Sequence, residues 1–256
     1  MRCGPIRRIV QILVLAVLIG IGTDLTVSSA ACLPWFSRFS PLMTLTTRLA
    51  AHQWTPYFFG GTIVFFLSAV FPRFFCGWIC PVGTCIDIVD TVTLAGKRTL
   101  LKTPFWATAW ILDAGLIAAA LNQREWAGYL DPLTFFAHTL AFFMPQKTSQ
   151  FIQSAFADSG TGFILPAIFF VAISLTFLGR RAWCRMLCPL GGLLGMAGTW
   201  GLFRRLVNKE CVLCGKCRKQ CPMTAIPSDP HETKYPACIS CHHCSDICPK
   251  KAIHFR

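Results

Sequence analysis

The chain has 256 residues, 54% of them hydrophobic and 14% charged, with a formal net charge of +13 and 15 cysteines. Ordinary globular domains carry about 25% charge, so the composition argues against a single soluble enzyme. It also excludes a disordered chain, by its apolar content, and a disulfide-stapled secreted miniprotein, by its length and long apolar runs.

Four stretches are apolar enough and nearly long enough to cross a hydrocarbon core of about 30 Å, which takes roughly 20 helical residues. They are residues 9–27, 56–75, 104–121 and 161–179. The third carries Asp113 at its middle and the fourth carries Pro166, both tolerated where neighbouring helices or water satisfy polar groups. Leu133 to Met144 is too short to span and reads as an interfacial or re-entrant helix on the outer face, with His138 on it. The first stretch, with Arg7, Arg8 and then Ser28-Ser29-Ala30-Ala31-Cys32, also resembles a signal peptide. Asp24 and the lack of a Leu three residues before Cys32 argue against a lipoprotein, and an uncleaved helix is the reading taken.

Orientation follows from Lys and Arg, which are retained on the cytoplasmic side. With the N-terminus inside, 20 of them fall on inner segments, and only Arg38, Arg48, Arg124 and Lys147 fall outside. The expected location is therefore the inner membrane of a prokaryote, with both termini cytoplasmic. Basic flanks favour anionic headgroups, which accounts for the +13 without nucleic acid as a partner.

Phe75-Cys76-Gly77-Trp78-Ile79-Cys80-Pro81-Val82-Gly83 is echoed 108 residues later by Trp183-Cys184-Arg185-Met186-Leu187-Cys188-Pro189-Leu190-Gly191. An i, i+4 pair on a helix faces one way, and both pairs fall at the cytoplasmic edge. The halves read as a direct repeat: helix, outer loop with Pro41-Leu42 or Pro132-Leu133, helix, then Cys-x3-Cys-Pro. Such a duplication would bring Cys76, Cys80, Cys184 and Cys188 together as four thiolates for a metal, an additional cluster or thiol–disulfide chemistry, between which spacing does not choose. Alternatively, these cysteines are small buried hydrophobes at helix ends. Cys85 lies close enough to the first pair to be a fifth ligand; Cys3 and Cys32 have no evident partner.

Cys211-x2-Cys214-x2-Cys217-x3-Cys221-Pro222 is followed by Cys238-x2-Cys241-x2-Cys244-x3-Cys248-Pro249. In such runs three thiolates wrap one face of a 4Fe-4S cluster while the fourth, leaving on a Cys-Pro turn, ligates the other cluster. The spacing thus predicts one cluster on Cys211, Cys214, Cys217 and Cys248, and a second on Cys238, Cys241, Cys244 and Cys221. Zinc is the alternative, but zinc ribbons do not normally carry four cysteines per run with a terminal Cys-Pro. Cys238-x2-Cys241-His242 matches a haem-attachment string, yet it lies inside a complete cluster motif on the cytoplasmic side. His242 and His243 are expected to face solvent or to tune cluster sulfur by hydrogen bonding. The fold class is then an α-helical polytopic membrane protein of four transmembrane helices (residues 1–205), followed by a small α+β two-cluster ferredoxin-like domain (residues 206–256).

The whole resembles the membrane-bound ferredoxin-type proteins represented by NapH of periplasmic nitrate reductase systems, with relatives in nitrous oxide reductase and methylamine utilisation systems. The resemblance rests on Pro41-Leu42-Met43-Thr44-Leu45, the two Cys-x3-Cys-Pro motifs, the segment from Arg124-Glu125-Trp126 to Asp131-Pro132, and the paired ferredoxin runs. It implies an electron-transfer subunit of a quinol dehydrogenase, passing electrons through iron–sulfur centres to a second iron–sulfur or haem protein and towards a periplasmic reductase. For a proton path, Asp113 is the candidate, because a carboxylate mid-bilayer is costly; its alternative is a carboxyl satisfied within the bundle. His52 and His138 could accept protons on the outer side, and both also suit ordinary interfacial places. The aromatic density of Phe65, Phe66, Phe135, Phe136, Phe142 and Phe143 suits a quinone ring and lipid contact equally. Two other functions remain open at this level: a maturation factor whose edge cysteines reduce or deliver a metal to a partner enzyme, and a redox sensor or membrane scaffold.

Overall fold

The computed structural model describes residues 3–23, 39–51, 58–92, 110–114, 116–117, 130–143 and 163–256. Helix α1 (Cys3–Thr23) turns Arg7 and Gln11 towards the protein and leaves Ile9, Ile12, Leu13 and Val17 exposed. The first half of the repeat follows as α2 (Pro41–Ala51), α3 (Phe58–Val70), α4 (Phe74–Trp78) and α5 (Pro81–Val92). The second half is α6 (Pro132–Phe143), α7 (Ile164–Ser174) with a 3-10 turn at Leu175–Phe177, α8 (Ala182–Met186) and α9 (Pro189–Ala197).

Proline sets the boundaries of these helices. Pro41, Pro81, Pro132 and Pro189 each open a helix, where a missing N–H costs nothing and the fixed φ suits the first turn. The residue before a proline is driven out of the helical region, and Cys188 accordingly sits at φ −74, ψ 107. This corrects the expectation that each Cys-x3-Cys lies on one continuous helix. Cys76 and Cys184 lie within α4 and α8, while Cys80 and Cys188 sit at the break before the next helix.

The two halves pack crosswise. Helix α9 of the second half lies on α2 and α3 of the first, and α5 of the first lies on α6 and α7 of the second. The pseudo-symmetry reaches single core residues: Val82 and Ile86 on α5 match Leu190 and Leu194 on α9, and all four are essentially inaccessible. At the far ends, Ser40 caps α2 and Asp131 caps α6, and the Ser40 hydroxyl donates to Asp131 Oδ1 at 2.7 Å.

Among the described residues no helix is long and apolar enough to cross a membrane. In α1 the apolar stretch begins only at Ile12 and covers about 18 Å; the 13 residues of α3 cover about 20 Å. The second predicted span is interrupted at residues 71–73, between α3 and α4, and the fourth is shortened to α7 and its 3-10 turn. Most of the third, residues 104–121, lies outside the described residues, as do Cys32 and His52; residues 110–114 are helical.

The C-terminal unit is closed by its two ends. Strand β1 (Arg205–Val207) pairs antiparallel with β2 (Ile253–Phe255), register Arg205 to Phe255, and between them lie α10 (Lys216–Lys219) and α11 (His243–Asp246). Its internal repeat is written in the backbone. Left-handed residues recur in pairs 27 positions apart, Leu213 with Ser240, Gly215 with His242 and Thr224 with Lys251, the same offset as Cys211 from Cys238. The unit docks tightly on α4. Trp78 Nε1 donates to Ser240 O at 3.0 Å and Ser240 Oγ to Pro72 O at 2.9 Å. A Cβ on Gly77 would lie 2.4 Å from Ile239 O.

Candidate metal centres

In the C-terminal unit the chain folds so that cysteines from both runs line each of two cavities. One has about 380 Å³ of free space, its open mouth included, and is lined by Cys211, Cys214, Cys217 and Cys248. The other, of about 390 Å³, is lined by Cys221, Cys238, Cys241 and Cys244. These are the two sets that the spacing predicts, with the fourth cysteine of each run crossing over. The donor chemistry suits an anionic cluster. The amide of Ala225 donates to Cys221 Sγ at 3.3 Å, and Arg205 Nη2 approaches Cys217 Sγ at 3.8 Å. Burial pushes the Cys238 thiol up to about 12, so binding a metal there would displace a proton. Among the described residues no three His, Cys, Asp or Glu side chains converge on the point that a single metal ion would occupy.

The histidines of the second run have packing roles. His242 forms the left-handed cap of α11, and its ring lies 4.1 Å from that of Phe255. His243 Nε2 meets Gln220 Oε1 at 3.3 Å.

At the edge site the crosswise packing brings the two Cys-x3-Cys-Pro motifs face to face. Cys76, Cys80, Cys184 and Cys188 are all buried and close enough to interact electrostatically. Burial pushes the Cys80, Cys184 and Cys188 thiols up, Cys184 to about 11, and it pushes Cys85 on α5 to about 11 as well. Cys188 Sγ accepts the Gly191 amide at 3.3 Å and so caps α9, and Cys80 takes the amide of Gly83 in the same way.

Two arginines clamp this arrangement. Arg73 and Arg181, each with left-handed backbone and 1% exposed, stand three residues before the first cysteine of each motif. Each reaches across to the opposite half: Arg73 Nη2 donates to Cys184 O at 3.1 Å and Arg181 Nη1 to Cys76 O at 2.9 Å. The symmetry breaks in their other partners. Arg181 makes a two-pronged ion pair with Asp87, at 2.8 and 2.7 Å, and Arg7 of α1 joins the same carboxylate. Burial alone would raise Asp87, but Arg181 and Arg7 outweigh it and hold the carboxyl below its ordinary value. Arg73 instead donates to Pro236 O in the C-terminal unit.

The edge site and one cluster cavity are contiguous. A single apolar core contains the four edge cysteines and Ile239, with Cys221, Cys238 and Cys241 packed against it. Cys217 belongs to a second small core under the β-ribbon, with Cys221, Cys244 and Cys248 packed on it, so Cys221 touches both cores. Cys214 is exposed beside Val212 and Leu213.

Comparison with known proteins agrees with this geometry. A family model described as a 4Fe-4S binding domain matches residues 53–98 and again 161–210, segments that begin 108 residues apart and each enclose one Cys-x3-Cys-Pro. A second, a 4Fe-4S dicluster domain, matches residues 205–249. YccM of Escherichia coli K12, named for electron transport, is 30% identical over 72% of this chain. The ferredoxin-type protein NapH of Haemophilus influenzae is 25% identical over 84% of it.

The chain is similar to the NapH-like ferredoxin-type proteins.

A methylamine utilisation ferredoxin-type protein, MauN of Paracoccus denitrificans, is 28% identical over 59% of the chain. The NapH-like chain spans half the length of YccM, 74% of NapH and 48% of MauN. No solved structure matches it. The cysteines brought together here are the ones that the sequence motifs mark, whereas most of the charged residues around them lie outside those motifs. No motif marks Asp87 or Arg205, whereas Arg73 and Arg181 recur in Arg-x2-Cys-x3-Cys-Pro-x-Gly in both halves. Asp131, at the Asp131-Pro132 step, is fully buried. Asp113 is exposed beside the buried Leu112, and His138 is partly buried, which pushes its imidazolium down to about 4 and leaves it neutral at pH 7.

Proposed function

We propose that this chain is the membrane-bound electron-transfer subunit of a quinol dehydrogenase. The observation that carries the proposal is the continuous core running from the edge cysteines to Cys221, Cys238 and Cys241, beside a second cysteine cavity with Cys214 exposed. In this reading Cys211, Cys214, Cys217 and Cys248 hold one 4Fe-4S cluster, and Cys238, Cys241, Cys244 and Cys221 hold the other. Each cluster supplies one-electron storage and transfer. Quinol becomes quinone by releasing two electrons and two protons. With clusters held there, the chain would relay these electrons singly to a second iron–sulfur or haem protein, towards a periplasmic reductase. Asp113 is assigned to the proton path, and an additional metal or cluster is assigned to the edge cysteines.

Two observations support the membrane and the edge centre. Large apolar side chains stand exposed on α1, α3 and α7, among them Ile12, Val17, Phe59, Phe66, Phe170 and Val171, a surface that suits a bilayer with the basic segments on its cytoplasmic side. Arg73 is buried and donates to the carbonyl oxygens of Cys184 and Pro236, so among the described residues positive charge is in excess beside the four edge thiols, and metal-bound thiolates would neutralise it. The same excess favours a second reading, in which the edge cysteines draw together on a metal in transit to a partner enzyme, since no three of them converge on one ion in this structure.

The test is anaerobic purification in detergent with iron and sulfide counts, then electron paramagnetic resonance before and after adding a reduced quinone analogue. Two reduced, magnetically coupled clusters are expected. Clusters that respond only to a strong low-potential reductant would contradict the quinol role. In that event, normal partner metallation in Cys76→Ser and Cys188→Ser would also eliminate the transit reading.

A further inference from the structure

Arg205 is the first residue of β1, 3% exposed, and it lines both cluster cavities. Its guanidinium is held from one side by neutral groups: Nη1 donates to Pro230 O at 2.7 Å and to Thr233 Oγ1 at 3.2 Å, with Glu232 O at 3.5 Å. From the other side Nη2 reaches Cys217 Sγ at 3.8 Å, and its charge acts on Cys238 and Cys244 across the second cavity. Nε, fully buried, has no hydrogen-bond partner. No carboxylate among the described residues lies within ion-pair distance of this group, whereas the equally buried Arg181 is matched by Asp87.

A guanidinium stays protonated in any protein, and burying it without a counter-charge is strongly unfavourable. The anions facing Arg205 are cysteine sulfurs, from both sets. A 4Fe-4S cluster with four thiolates is itself an anion, and reduction adds one electron, hence one more negative charge, with no proton required. A fixed cation at the sulfur therefore stabilises the reduced form more than the oxidised one, and charge and hydrogen bonding at sulfur are known levers on cluster potential.

We infer that Arg205 is the shared counter-charge of the two cluster sites and raises the reduction potential of both, most strongly for the cluster held by Cys217. This rests on the two-cluster reading above. Its position between the cavities lets one side chain bias both centres, so that their potentials move together.

The test uses the full chain, purified anaerobically, with iron counts and a redox titration followed by electron paramagnetic resonance. Wild-type protein without two clusters would remove the reading on which the inference rests. With two clusters present, R205Q is expected to lower both midpoint potentials, one more than the other, and R205K to lower them less, because it keeps the charge but draws it back from Cys217. Two intact clusters at unchanged or raised potentials in either variant would overturn the inference. If R205Q fails to assemble, retention of both clusters in R205K with a lowered potential still supports a counter-charge role. Loss of clusters from both variants alike would make Arg205 a structural clamp and overturn it.

Discussion

Asp87 is the residue on which the edge site hangs. It neutralises Arg181, which is otherwise enclosed, and ties in α1 through Arg7 and Gln11, whose side chains also hold Gly77 O. Removing one partner of a buried ion pair leaves the other charge stranded, at a cost of about 3–5 kcal/mol. D87N is expected to lose roughly that much stability, measured by denaturant unfolding in detergent; a change below about 1 kcal/mol would show that the pair is solvated. Asp131 behaves in the opposite sense. Burial outweighs its bonds from Ser40 and Thr134 and raises the carboxyl to about 6. The folded protein therefore binds this proton more tightly than the unfolded chain, and the stabilisation, complete below about pH 4, is lost as pH rises through 6. Wild type should gain about 2–3 kcal/mol over D131N between pH 7 and pH 4. Unfolding midpoints at the two pH values measure this, and a constant difference would contradict it.

At the scale of elements, the site depends on close backbone approach. Gly77 lets Ile239 O lie where a Cβ would stand, and the obstacle is backbone, which cannot swing aside. G77A should cost about 1–3 kcal/mol and loosen the C-terminal unit from α4. Gly20 on α1 has open space around it, so G20A should be neutral or gain up to about 1 kcal/mol. Denaturant unfolding in detergent, followed by intrinsic tryptophan fluorescence, compares the two, and equal effects would contradict the docking. Here the sequence was legible in part. The Cys-Pro steps gave the repeat and its offset, but reading Cys-x3-Cys as one helical face ignored what Pro81 and Pro189 do to the residue before them. Periodicity and apolarity located α3 and α7 but overstated their length, because the turn at residues 71–73 carries no strong breaker beyond Pro72. Arg73 was legible only by aligning the halves, and Arg205 only from the fold, since nothing local marks an arginine at the start of a three-residue strand.

For the whole molecule, two successive duplications do the organising. The first, offset by 108 residues, crosses its halves so that four cysteines meet beneath the C-terminal unit; the second, offset by 27, exchanges the fourth cysteine of each run. Cluster spacing predicts this exchange from sequence, because the ligand geometry of a cubane would itself constrain the chain. What sequence could not give was their order, with the Cys221, Cys238, Cys241 and Cys244 cavity against the edge site and the other beyond it, since that follows from the docking of Ser240 and Pro236 on Pro72 and Arg73. Because the edge cysteines share one core with Cys221, Cys238 and Cys241, the proposed function has electrons enter past them. Its most direct test is rapid-freeze electron paramagnetic resonance of wild type and Cys188→Ser mixed with a reduced quinone analogue. Serine also caps helices, so α9 should keep its start. Both proteins should hold two clusters reducible by dithionite, and the variant should lose fast reduction by quinol. Reduction of the variant at the wild-type rate would contradict the account.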